Sequence, residues 1–224
     1  MSAIRRASAA FRSRRNQGLR ALIASARGDR GGPFRILDLG GTPQYWHRVG
    51  LDWIEANDLR ITVCNHAEGE FRPPAAEPRI TCIVGDATDM AGHADGSFDL
   101  VHSNSVIEHV GGWAAMRRFA GEVRRLAPAY YIQTPYFWFP FDPHFYRVPF
   151  IHWLPSSWRL KILRRVRAGW APAQTDVDQA MRLVESNVML DRLQFRALFP
   201  DAVHSFERVA LLPKSMIAAR RTLP

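Results

Sequence analysis

Beyond Gly31-Gly32-Pro33 the chain alternates short apolar runs with helical stretches, and this rhythm restricts it to a parallel sheet with helical crossovers. The first run, residues 34–39, ends in a Gly-Gly turn. Runs at 59–64, 80–84 and 98–102 follow as strands two to four, with a loop carrying Pro73, Pro74 and Pro78 between the second and third. From Gly112 to Leu126, Trp113, Met116, Phe119, Val123 and Leu126 recur at three- and four-residue steps. Arg117, Arg118, Glu122, Arg124 and Arg125 take the opposite face, so the stretch reads as a helix. Pro128 stops it, and 129–133 is the fifth strand. A later helix over 189–199 has Ser186 and Asn187 as cap candidates and Pro200 as its stop. Two β-like runs, 205–212 and 215–219, are parted by Pro213. The expected fold class is α/β, a central mostly parallel sheet with helices on both faces.

At 224 residues the chain has room for one domain with a proper core. Its net charge of +9 matters once located. Residues 1–30 hold eight arginines and one acid, Asp29; residues 136–170 hold six basic residues and one acid, Asp142. The rest is slightly acidic, so the basicity belongs to two segments suited to phosphate, of nucleic acid or of an anionic membrane. No apolar run is long enough to predict a membrane-spanning helix. The Arg-, Ser- and Ala-rich start has the composition of an organellar transit peptide. As a helix it groups Ile4, Ala7, Phe11, Leu19 and Leu22 on one side, interrupted by Arg15; a solvated basic tail is the plainer alternative. We divide the chain into a basic segment 1–30 and a domain 31–224, with an insertion at 135–185 that breaks the alternation. Cys64 and Cys82 are too few for a disulfide framework and lie in apolar runs, which predicts buried free thiols. The expected location is cytoplasmic, with peripheral placement at the inner face of a membrane as its extension.

The run Arg35-Ile-Leu-Asp-Leu-Gly-Gly-Thr42 is a strand ending in an acid and a turn whose glycines let backbone approach a ligand. Thr42 and Pro43 replace the rest of a dinucleotide fingerprint, so a pyrophosphate clamp is unsupported. With ITVCN (61–65), VGDATDM (84–90) and FDLVHSNSVIEHVG (98–111), the run ILDLGGT (36–42) resembles class I S-adenosylmethionine-dependent methyltransferases, of the small bacterial type with a generic methyltransferase domain. The resemblance covers residues 34–133 well and the remainder loosely. It implies a Rossmann-like fold and S-adenosylmethionine as cofactor, which needs no phosphate clamp. It also implies that Asp38, Gly40 and Gly41 surround the methionine part, and that Asp86 accepts from the adenine amino group with the backbone of Ala87 alongside. Where the family has an acid for the ribose hydroxyls, this chain has Asn65. Ser103 and Asn104 would line the face between donor and acceptor. Many relatives share the Glu108-His109 pair, which makes His109 the candidate base. Methyl transfer can also run on positioning alone, leaving His109 a structural hydrogen-bonding role. On its own, Gly-Asp-Ala-Thr at 85–88 also reads as ordinary turn chemistry. The other histidines (His47, His66, His93, His102, His144, His152, His204) show no ligand spacing, and no metal is expected.

Residues 136–158 hold ten of the chain's aromatic residues and four prolines, followed directly by a basic run to Arg167. Three readings follow: a cap roofing the acceptor pocket, an interfacial patch for anionic lipid, or a stacking surface for RNA. The functions they support are methylation (O or N) of a small or lipid-linked acceptor, RNA methylation, and a non-catalytic adaptor built on the same fold.

Overall fold

The computed structural model describes residues 3–71 and 77–221, with backbone only for 3–12 and 70. Pro73, Pro74 and the side chains of Ile4, Ala7 and Phe11 lie outside the described residues. The elements run α1 (Ala3–Arg27), β1 (Phe34–Leu39), α2 (Pro43–Val49), α3 (Leu51–Ala56), β2 (Leu59–Asn65), β3 (Ile80–Val84), β4 (Leu100–Asn104), α4 (Trp113–Leu126), β5 (Ala129–Pro135), α5 (Ser156–Leu163), α6 (Val177–Glu185), α7 (Arg192–Leu198), β6 (Val203–Val209) and β7 (Leu212–Arg220).

The sheet order is β3-β2-β1-β4-β5-β7-β6, with β1 to β5 parallel and β7 antiparallel to both its neighbours. The chain steps from β1 outward to β2 and β3 and then returns to place β4 on the other side of β1, so the strand order reverses beside β1, at the crevice where open α/β sheets take ligands. One face buries Leu37, Leu39 and Val101 against Phe119, Val123 and Phe195; the other buries Ile36, Ile61 and Leu100 against Leu19, Ile23 and Trp46. Strands covered on both sides explain the continuous apolar runs of the sequence.

Several expectations shift in register. The fourth strand starts at Leu100, because the Asp99 carboxylate accepts from the Arg35 backbone N–H at 2.7 Å and holds the approach to β1. Ser103 and Asn104 therefore belong to β4 rather than following it. The late helix starts at Arg192: Asp191 and Gln194 form a capping box, whereas Ser186 ends α6 and Asn187 is buried. Pro213 lies inside β7, opposite Arg208 beside a register shift. Cys64 is buried as expected, but Cys82 is exposed on the edge strand β3.

Over residues 13–27 the first helix is no solvated tail, since Leu19, Leu22, Ile23 and Ala26 are buried against the sheet. Arg15, the residue that interrupts the apolar side, forms an ion pair of 2.5 Å with Glu207 on β6 and also donates to Asn104. Between β5 and α7, residues Phe145, Ile151, Leu163, Ala168 and Val184 make a small apolar cluster of their own. No helix among the described residues is long and apolar enough to cross a membrane.

Candidate functional site

Beyond the carboxyl ends of β1 and β2 lies a cleft of about 180 Å³, lined by Gly40, Cys64, Asn65, His66, Gly85, Ala87, Ser105, Val106, His109 and Val110. Four of the residues expected at the site, Gly40, Asn65, Ala87 and His109, meet there. Gly40 has φ +70°, and a Cβ on it would fall 2.4 Å from Val106 Cγ2, so only glycine fits beneath this wall. The Asn65 amide donates to the Gly41 carbonyl at 2.8 Å, which leaves Oδ1 as a hydrogen-bond acceptor at the cleft.

The remaining expected residues stand behind or beside the cleft. Asp38 is completely buried; its carboxylate accepts from Trp46 Nε1 at 2.7 Å and lies 2.6 Å from His102 Nδ1. Gly41 is required by that arrangement, because a Cβ there would lie 1.7 Å from Asp38 Oδ2. The pair thus shapes the turn from below. Ser103 is buried with its hydroxyl donating to the Leu39 carbonyl, so it braces β1 and does not line the cleft. Asn104 is engaged by Arg15 instead. Asp86, exposed between Gly85 and Ala87, accepts from the Thr88 N–H at 2.8 Å, and this bond holds its carboxyl below the usual carboxylate range. The turn chemistry visible in Gly-Asp-Ala-Thr is therefore present together with an anionic group at the cleft rim.

Past the end of β4 the cleft is lined by Ser105 and Val106, and not by Ser103 or Asn104. Ser105 sits at φ +58°, its N–H donating to the Gln133 carbonyl at 2.9 Å and its hydroxyl to Gln133 Oε1 at 3.0 Å. Both residues stand in the run 98–111, but placing the strand two residues early hid their position.

A single 3-10 turn, Ile107–His109, carries the polar end of the cleft. His109 Nδ1 lies 2.7 Å from the Ser186 carbonyl, which can only accept; Nδ1 therefore carries the proton and Nε2 the lone pair. Burial lowers its pKa below that of ordinary histidine. Glu108 is completely buried, and burial pushes its carboxyl up to about 7. One of its oxygens accepts from Thr134 Oγ1 at 3.0 Å, while Oε1 has no hydrogen-bond partner among the described residues. The His144 ring packs edge-on to His109, with centroids 4.6 Å apart, and its Nδ1 lies 2.7 Å from the buried Asp142 carboxylate. Sequence spacing did not reveal this cluster, because the insertion brings His144 back from far along the chain.

Past this turn a second cavity of about 420 Å³ is lined by Gly111 and Gly112 on one side and by Phe137, His152, Arg159, Val184, Asn187 and Met189 on others. The 109–112 backbone thus borders both spaces.

Residues 40–128 match the family model described as a methyltransferase domain. No curated protein sequence matches the chain. Among solved structures, the CurJ carbon methyltransferase aligns over 93% of this chain and 54% of its own at a TM-score of 0.55 and 12% identity. The PH0226 protein of Pyrococcus horikoshii OT3 aligns over 92% of each chain at 0.51 and 17% identity. The magnesium protoporphyrin IX methyltransferase of Synechocystis PCC 6803, solved with bound S-adenosylhomocysteine, aligns over 92% of this chain and 83% of its own at 0.50 and 15% identity. These structures share the fold of class I methyltransferases, and the segment that matches the methyltransferase-domain model contains the Gly-Gly turn, Asn65, Asp86 and the Glu108-His109 turn.

Proposed function

We propose that this enzyme methylates a small or lipid-linked acceptor, held in the second cavity under a cap formed by residues 135–185. The observation that carries the reading is the arrangement of two spaces on either side of the 109–112 turn. When bound, S-adenosylmethionine supplies a methyl group on a positively charged sulfur, open to direct displacement. Asn65 Oδ1 would accept a ribose hydroxyl and the Asp86 carboxylate the adenine amino group, with the Ala87 backbone alongside. Gly40 and Gly41 keep the first turn close to the methionine part, while Asp38 fixes that turn from beneath. Val106 and His109 then face the acceptor side, where positioning of two partners supplies much of the rate. The acceptor's proton is managed at His109.

The second cavity combines apolar walls (Phe137, Val184, Met189) with Arg159, a half-buried cation that has no carboxylate ion pair among the described residues. An amphiphilic acceptor with an anionic group suits that lining. Exposed Trp138, Phe141, Phe150, Trp158 and Trp170 stand in the same segment as Arg164, Arg165 and Arg167, which favours a lipid-linked acceptor met at an anionic bilayer.

The test is transfer of tritiated methyl groups into fractionated lipid, small-molecule and RNA pools of a cell extract. Label is expected in the lipid or small-molecule pool. Label confined to RNA overturns the acceptor assignment, and cofactor binding with no label anywhere favours the adaptor reading.

A further inference from the structure

We propose that Glu108, His109 and His144 bind one divalent transition-metal ion, of the chemical class of zinc, between the donor cleft and the acceptor cavity. One nitrogen from each ring and one carboxylate oxygen of Glu108 lie within 4.8 Å of one another. The proposal deepens the reading of the acceptor side given above, and its test can fail independently of that reading.

Two imidazoles and a carboxylate are the donor set that first-row divalent cations favour. The tautomers are already set for it. The Ser186 carbonyl takes the Nδ1 proton of His109, and the Asp142 carboxylate takes that of His144, so each ring keeps its Nε2 lone pair for a ligand bond. Asp142 is fixed in turn: it is completely buried, accepts from the His144 backbone N–H at 2.8 Å and lies 3.4 Å from the Asn187 amide. A carboxylate behind a histidine is the usual outer support of a metal-binding imidazole.

The second, independent observation is Glu108 Oε1. A completely buried carboxylate oxygen without a hydrogen-bond partner among the described residues is costly, and a cation satisfies it. Ligand atoms of a tetrahedral ion stand roughly 3.4 Å apart for bonds of about 2.1 Å. Binding therefore draws His144, the member carried by the insertion, inward against the 3-10 turn. Because His144 belongs to the insertion and Glu108 and His109 to the sheet edge, the ion ties the cap to the core. Three protein ligands leave a position open for water or an acceptor oxygen, and a hydroxyl bound there releases its proton to water more readily. In this arrangement His109 serves the acceptor's proton by holding the ion.

The experiment is titration of chelator-stripped protein with Zn2+ by calorimetry and with Co2+ by visible absorption. Wild type is expected to bind one equivalent of each, with ligand-field bands for Co2+. His144→Ala is expected to lose at least 100-fold in affinity, and Asp142→Asn ~10- to 100-fold, as for outer-shell partners elsewhere. S-adenosylmethionine affinity, measured on the same proteins, is expected to stay within twofold for His144→Ala, which also reports that the variant is folded. Absence of one-equivalent binding in the wild type, or binding indifferent to both substitutions, overturns the metal site while leaving the cofactor cleft standing. Metal binding without any cofactor heat keeps the site and overturns the reading of the cleft.

Discussion

Gly41 has no side chain because the carboxylate of Asp38 occupies the place where one would stand. A buried acid held by Trp46 and His102 is a preorganised support, and the turn above it inherits that rigidity. Gly41→Ala must therefore push either the acid or the turn aside. Overpacking of this kind costs ~1–3 kcal/mol, and a matching drop in thermal stability is expected together with cofactor binding weakened at least tenfold by calorimetry. A variant that binds as tightly as wild type would detach the Asp38 cluster from the function of the cleft. At this scale the sequence was half legible. Gly40, Asn65 and Asp86 could be placed from their motifs. Asp38 stood out as an acid at a strand end, but its partners Trp46 and His102 carry no local signal, because their meeting depends on α2 and β4 folding over the same strand.

Among the elements, α1 is the one whose role the sequence concealed. Its arginines read as surface charge, and Arg15 as a flaw in an apolar stripe. The flaw is an ion pair with side chains only 12% and 9% exposed, joining the helix to β6. Burial alone would raise the Glu207 carboxyl, but the hydrogen bond and charge of Arg15, aided by Ser215 and Lys214, bring it below the usual glutamate range. Stability from a depressed carboxyl is present above its ordinary value of about 4.3 and is lost as pH falls through the lower folded value. Glu207→Gln, which leaves Arg15 buried and unmatched, is expected to cost roughly 3 kcal/mol at neutral pH. The difference between wild-type and variant melting temperatures should shrink as the pH drops below about 4. A difference constant down to pH 3 would show that the pair contributes nothing through charge. The parallel strands and α4 were legible because their periodicity is strong and uninterrupted, whereas the start of α7 was missed for a local reason: Asp191 and Gln194 form a cap that outcompetes Ser186 and Asn187.

For the whole molecule, we propose that the insertion at 135–185 decides what the enzyme meets. It has a small apolar cluster of its own and leaves Trp138, Trp158 and Trp170 between 57% and 77% exposed. Rings this open beside arginines suit the headgroup layer of a bilayer. The protein is expected to sediment with vesicles containing anionic phosphatidylglycerol and to stay in solution with neutral phosphatidylcholine vesicles. Trp158→Ala with Trp170→Ala should weaken the anionic binding about tenfold without moving the melting temperature. Equal partition onto both vesicle types, or none, removes the membrane from the picture. Composition alone pointed to this segment, since ten aromatics among few acids are conspicuous in any fold; which rings turn outward was not legible, because it depends on packing within the insertion.

The contact between Arg15 and Glu207 spans 192 positions of the chain. During synthesis Arg15 emerges long before the acid that pairs with it. Until β6 has been made the helix has no finished sheet edge to settle on, and nascent chains stalled before β6 should need a chaperone's cover.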